Sequence, residues 1–229
     1  MNGIKVGNKI SRLPIIQGGM GVGVSMHSLA GAVAKEGGIG IISTADIGYR
    51  EADFLAEPRK SNLRAIGKEL SLARQIAPDG ILGFNVMVAL SDYEDIVKEC
   101  VKQKADLIIS GAGLPMDLPR YVIGTDTRIA PIVSSARAFR LISKRWIKKY
   151  NYVPDLVVIE GPKAGGHLGY KREELESPEY SLEHTTVEII SLVRELEKST
   201  GKEIPVIAAG GIFDGSDIAH YLTLGASGV

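Results

Sequence analysis

The sequence predicts a (β/α)8 barrel that is truncated within its eighth strand, and three observations carry that expectation. Short Ile- and Val-rich runs recur along the chain, apolar on consecutive positions, as parallel strands covered on both faces require. Segments with helical periodicity separate them, which implies βαβ units joined by right-handed crossovers. At 229 residues the chain has the size of one α/β barrel, and no repeat, low-complexity tract or linker divides it. A single domain over residues 1–229 is therefore expected.

In chain order the strand runs are "LPIIQ" (13–17), "IGIIS" (39–43), "ILGFNVM" (81–87), "DLIIS" (106–110), "IAPIV" (129–133), "DLVVIE" (155–160) and "IPVIAA" (204–209). Between them lie the helical segments "SMHSLAGAVAKEG", "NLRAIGKELSLARQIA", "YEDIVKECVKQK", "ARAFRLISKRWIKKY" and "TTVEIISLVRELEKST". The last ends "STGKEIP", a glycine stop followed by proline. After the seventh run, "GSDIAHYLTLG" makes a short helix and "ASGV" opens an eighth strand at the end of the chain. A barrel missing a strand would leave two edges exposed. The sequence therefore reads as part of a longer protein.

Composition excludes several classes of function. Lys+Arg and Asp+Glu number 27 each, so no basic field points to nucleic acid or an anionic membrane. The basic stretch "SKRWIKKY" (143–150) has helical spacing and reads as a solvated helix face. One cysteine, Cys100, forbids an intrachain disulfide and suits a reducing, cytoplasmic compartment. Its amphipathic segment predicts a buried, inert thiol. The N-terminus lacks the apolar stretch of a signal peptide, and no run approaches the roughly 20 residues that span a bilayer. No second His, Cys or carboxylate lies at metal-ligand spacing near His167, so no metal site is expected.

In such barrels the chemistry sits on the loops at the C-terminal strand ends. Those loops are rich in glycine: "QGGMGVGVS" after the first run, "SGAGLP" after the fourth, "GPKAGGHLGY" after the sixth and "AAGGIFDG" after the seventh. Four such loops at one mouth suit close approach of backbone to a large planar or phosphorylated ligand. The GG of "AAGGI", followed by a helix N-terminus, reads as one half of a barrel phosphate site. His167 is the histidine placed for proton transfer. His27 and His184 lie near helix starts and His220 on the short last helix, where structural roles are expected.

The motifs "PIIQGGMG", "GFNVM", "GPKAGGHLG", "PVIAAGGI" and "LGASGV", in this order and spacing, resemble the FMN-dependent nitronate monooxygenases. That family was formerly called 2-nitropropane dioxygenases and includes the flavin-type enoyl-acyl-carrier-protein reductases. The resemblance spans Leu13 to Val229. It implies that Gly19, Met20 and Gly21 run along an FMN ring and that Asn85 bonds the flavin or its ribityl-phosphate arm. It further implies that Gly165 and Gly166 pass close to the cofactor, that Gly210 and Gly211 hold its phosphate, and that His167 projects over the substrate. Two departures stand out. Many relatives carry an acidic residue and alanine where this chain has Pro162 and Lys163, and many carry a lysine where it has Ser134 and Ser135. Either serine could donate a hydrogen bond there but supplies no charge.

The implied reaction is oxidation of alkyl nitronates or nitroalkanes with O2 to a carbonyl compound and nitrite, with His167 as base. Two alternatives stand beside it: NAD(P)H-dependent reduction of an enoyl thioester on the same flavin, and a phosphate-binding barrel enzyme without flavin. The expected partners are small molecules, with neither nucleic acid nor membrane; a homodimer stays open.

Overall fold

The computed structural model describes residues 3–229. Six parallel strands form its sheet: β3 (Ile39–Ser43), β4 (Ile81–Met87), β5 (Leu107–Gly111), β6 (Arg128–Val133), β7 (Val157–Glu160) and β8 (Val206–Ala209), hydrogen-bonded in sequence order. They alternate with helices α1 (His27–Lys35), α2 (Pro58–Ile76), α3 (Tyr93–Lys102), α4 (Ala136–Tyr150), α5 (Leu182–Thr200) and α6 (Gly215–Thr223).

Two stretches that form only isolated bridges close this sheet into a ring. Residues 13–17 lie beside β3, with the Gln17 amide donating to Ile39 O (3.0 Å) and the Ile39 amide to Ile15 O (2.9 Å). Their other edge meets the end of the chain: the Ile16 amide donates to Val229 O (2.7 Å) and the Val229 amide to Pro14 O (3.0 Å). The same end pairs with β8, through Ser227 N–H to Val206 O (2.7 Å) and Ala208 N–H to Gly228 O (3.1 Å). Residues 227–229 are thus enough to bond both neighbours, and the two open edges expected from a truncated eighth strand are paired.

The consecutive apolar runs split by strand alternation into two cores. Ile39, Ile41, Ile81, Leu107, Ile109, Ala130, Leu156, Val158 and Ile207 fill the barrel. Ile42, Leu82, Phe84, Val86, Ile108, Ile129, Val157 and Ile159 face the helices, where Phe139 and Trp146 of α4 are fully buried. An N-terminal hairpin, β1 (Lys5–Val6) and β2 (Lys9–Ile10), turns at Gly7 and adds Ile4 and Val6 to the inner core. The apolar run at 13–17 is visible in the sequence; this hairpin, with two residues per strand, is too short to show there.

Local chemistry sets the helix ends. The Ser135 hydroxyl caps α4 by accepting from Ala138 N–H (3.3 Å), and Asn151 closes the helix in the left-handed conformation. Ser181 caps α5, which ends on Gly201. Glu69 of α2 caps α1 from outside, accepting from the His27 amide (2.9 Å) and lying 2.7 Å from the His27 ring nitrogen Nδ1. On α4, Arg145 and Lys149 pair with Asp117 at 3.0 Å while Trp146 is buried, so this basic stretch is divided between core and ion pairs. Cys100 is buried, and burial pushes its thiol well above the usual range. No helix among the described residues is long and apolar enough to cross a membrane.

Candidate active site

The C-terminal ends of the strands surround a cavity of about 630 Å³. That volume lies within the range of small-molecule and cofactor sites. Its floor is the upper layer of the barrel core (Ile41, Ile109, Ile132, Val158, Ile207), and its walls are the loops that follow the strands. Loops 17–22, 160–167 and 209–213 contribute most of the wall, which is largely apolar with a few polar groups.

The first loop is held rigid by one buried hydroxyl. Ser25 Oγ accepts from the Met20 amide (2.9 Å) and from Gln17 Nε2 (2.9 Å), and donates to Gly18 O (3.0 Å). The Ser25 amide donates to Met20 O (2.9 Å), while the Ser43 amide donates to Ser25 O (2.9 Å), tying the loop to β3. Both backbone polar groups of Met20 are thereby occupied, so the residue meets the cavity through its side chain. Gly19 sits where no side chain fits: a Cβ there would lie 2.4 Å from Asn85 Cβ. Asn85 is inward on β4 by the same alternation that buries Ile81, and it lines the cavity below this loop. Asp46 and Ala112, on the loops after β3 and β5, also line it with left-handed backbones (φ 46° and 50°). Such strained non-glycine residues concentrate at functional sites.

The sixth and seventh loops pack on each other. A Cβ on Gly210 would lie 2.9 Å from Ala164 N, and one on Gly211 would lie 2.8 Å from Lys163 Cβ. Both glycines also have positive φ (102° and 78°), so substitution is opposed by conformation as well as by space. His167 lines the outer part of the cavity, exposed and without a hydrogen bond to any described residue.

Gly19, Met20, Gly21, Asn85, Gly165, Gly166, His167, Gly210 and Gly211 all line this cavity; Ser134 does not. The Ser134 hydroxyl turns to the 161–181 loop and donates to Gly169 O (3.4 Å), while Ser135 is the α4 cap. Neither serine takes the position that the sequence expectation gives it. A second correction concerns the helix after β8. Asp214 accepts from the amides of Ser216 (2.8 Å) and Asp217 (3.0 Å), and Asp217 accepts from Phe213 N–H (2.8 Å). The N-terminus of α6 thus spends the Ser216 and Asp217 amides on its own capping carboxylate and not on an anion.

Glu160 is the site residue that the motifs do not single out. The alternation that turns Leu156 and Val158 inward puts Glu160 on the cavity wall, a signal present in "DLVVIE". Its carbonyl accepts from the Tyr170 hydroxyl (2.7 Å), while its carboxyl has no partner among the described residues. Burial alone raises that carboxyl from 4.5 to about 7. The folded protein then holds a proton that the unfolded chain releases, so stability should fall as pH rises from about 4.5 to 7. We expect Glu160→Gln to stabilise the fold more at pH 8 than at pH 5, measured by urea midpoints. Equal increments at both values would refute the buried-acid assignment.

A family model described as nitronate monooxygenase matches residues 5–229. The chain belongs to the nitronate monooxygenase family, whose members are flavin-dependent oxidoreductases. A probable nitronate monooxygenase of Bacillus subtilis (strain 168) is 27% identical over 94% of this chain and 63% of its own length. The (3aS,4S,5R,7aS)-5-hydroxy-7a-methyl-1-oxo-octahydro-1H-indene-4-carboxyl-CoA dehydrogenase of Rhodococcus jostii (strain RHA1) is 24% identical over 94% of this chain and 50% of its own length. FabK from Thermotoga maritima superposes with a TM-score of 0.69 and 28% identity, covering 96% of this chain and 57% of that one. The chain thus spans half to about three-fifths of the length of these relatives. Nitroalkane oxidase from Streptomyces ansochromogenes, at 21% identity and a TM-score of 0.71, shares the fold.

Proposed function

We propose that the cavity binds FMN and that the protein oxidises alkyl nitronates or nitroalkanes with O2, yielding a carbonyl compound and nitrite. The observation that carries this reading is convergence. Residues from three separated loops and from β4, all but Ser134 of those that the family resemblance selects, line one cavity of cofactor size. Gly18 and Gly166 line the cavity with open space where a Cβ would stand, which suits a planar group lying against backbone, so the residues present fit a flavin. Gly19, Gly21, Gly165, Gly166 and Asn85 would hold the ring, Asn85 through its carboxamide. Gly210 and Gly211 would meet the phosphate through their amides. When bound, the flavin supplies the electron acceptor and the reactivity toward O2, chemistry that no side chain carries.

The chain's own residues then bind, orient and deprotonate. The apolar wall formed by Met20, Val22 and Phe213 suits an alkyl substituent. His167 would take the proton from the carbon bearing the nitro group, a task suited to an imidazole near neutral pH. Glu160, held near neutrality, is a second group able to exchange protons inside the cavity.

A second reading, flavin-mediated reduction of an enoyl thioester with NAD(P)H, draws support from the indene-carboxyl-CoA dehydrogenase among the relatives, named for a CoA thioester, and from the FabK superposition. One experiment separates them. Protein reconstituted with FMN should give a yellow complex that releases nitrite from a nitroalkane under air. Flavin bleaching by NADH without air, reversed by crotonyl thioester, together with no nitrite, would replace this reading by the second. Protein that stays colourless would remove both.

A further inference from the structure

The cavity wall poses an electrostatic problem at the end assigned to the phosphate. Asp214 and Asp217 lie just beyond Gly211 at the start of α6, and the acid Glu160 ends the neighbouring strand β7 opposite Ala209. Two amides of the first α6 turn, those of Ser216 and Asp217, are bound to Asp214, and the Phe213 amide before it is bound to Asp217. An anion seated on the Gly210 and Gly211 amides therefore needs a cation from elsewhere.

Among the residues lining the cavity, Lys163 is the only lysine or arginine. It pairs with no carboxylate among the described residues, so its charge is not already committed to an ion pair there, as those of Lys9, Lys68 and Lys202 are. Its stem is already at the right place: the Cβ and Cδ of Lys163 lie 2.8 and 3.1 Å from where a Cβ of Gly211 would stand. The Gly211 side that lacks a side chain is the side that the lysine covers.

We propose that Lys163 is the counter-cation of a phosphate monoester held on Gly210 and Gly211, and that it makes the site select FMN over unphosphorylated riboflavin. This rests on the flavin reading above and adds to it the residue that sets phosphate selectivity. A lysine acts here as a compact point charge on a flexible stem, so arginine should replace it in part and a neutral isostere should not.

The test is a titration of the full chain with FMN and with riboflavin, followed by flavin fluorescence at low ionic strength, where an exposed charge is least screened. In the unaltered protein FMN should bind more tightly than riboflavin. Lys163→Met should weaken FMN about 10- to 100-fold, the range of a hydrogen bond to a charged group, and leave riboflavin unchanged. Lys163→Glu should weaken FMN further, and Lys163→Arg should restore most of the affinity. Added salt should erode FMN binding in the unaltered protein more than in Lys163→Met. FMN affinity within twofold of the unaltered protein in Lys163→Met would overturn the proposal and leave the flavin reading standing. Equal losses for FMN and riboflavin would overturn it too, since they place the lysine at the ring or in the fold. If the unaltered protein binds neither flavin, both readings fail together.

Discussion

Replacing His167 by alanine should lower turnover of a neutral nitroalkane by roughly 10²- to 10⁴-fold, the usual worth of a positioned general base, while FMN stays bound. The side chain lines the cavity, is exposed and bonds to no described residue, so its removal leaves the fold intact. A base acts on one step only, and the choice of substrate can isolate it. A nitroalkane must lose its carbon-bound proton before oxidation; a preformed nitronate has already lost it. The loss should therefore be large with the neutral nitroalkane and small with the nitronate, with the flavin absorbance of the two proteins alike. Equal turnover of the neutral substrate by both proteins would take His167 out of the chemistry. Comparable losses on both substrates would make it a binding residue.

Much of this site can be read in the sequence because strand order and loop position suffice to collect it. The α4 helix appears in the sequence to the residue, since Ser135, a cap, opens a regular amphipathic segment that Asn151 ends. The glycine loops are legible for a similar reason: their chemistry is local, and counting strands places them all at one rim. The failures have physical causes of three kinds. Ser134 lies one residue before a helix cap, and its hydroxyl is captured by Gly169, 35 residues away, a contact set by loop packing. The N-terminus of α6 is open to a local reading, because "DGSD" is a capping box whose two carboxylates satisfy the amides. The closing of the ring by residues 227–229 depends on hydrogen bonds to Pro14, Ile16, Val206 and Ala208, tertiary partners that no local pattern encodes. Glu160 falls between these cases: its inward direction is local and legible, but its raised pKa reflects burial, which only the assembled barrel supplies.

Gly40→Ala should cost about 3 kcal/mol of stability, at the upper end of what overpacking a core costs, because the helix it strikes cannot move away. Gly40 is the second residue of β3, and a Cβ there would stand 1.9 Å from Ala30 O and 2.6 Å from its carbonyl carbon. The obstacle is α1 backbone, so no rotamer change relieves it. Retreat of α1 is blocked on its far side, where a Cβ on Gly31 would already lie 2.9 Å from Ile76 of α2. In a chain of this size about 3 kcal/mol corresponds to a fall in Tm of roughly 6–12 °C. Gly201→Ala gives the contrast. That glycine closes α5 with φ +70°, and a Cβ on it would meet nothing within 4 Å, so its cost is the left-handed backbone alone, about 1–2 kcal/mol. The two variants should also differ at the cavity. Strain at Gly40 acts on α1 and β3; β3 is bonded through the Ser43 amide to Ser25 O, just before α1, and the Ser25 hydroxyl holds the Gly18–Met20 loop. FMN affinity should therefore drop in Gly40→Ala and stay unchanged in Gly201→Ala. A Gly40→Ala protein that melts within about 2 °C of the unaltered one, a shift worth less than about 1 kcal/mol, would mean that α1 does yield and that the first loop is less firmly anchored than its hydrogen bonds indicate.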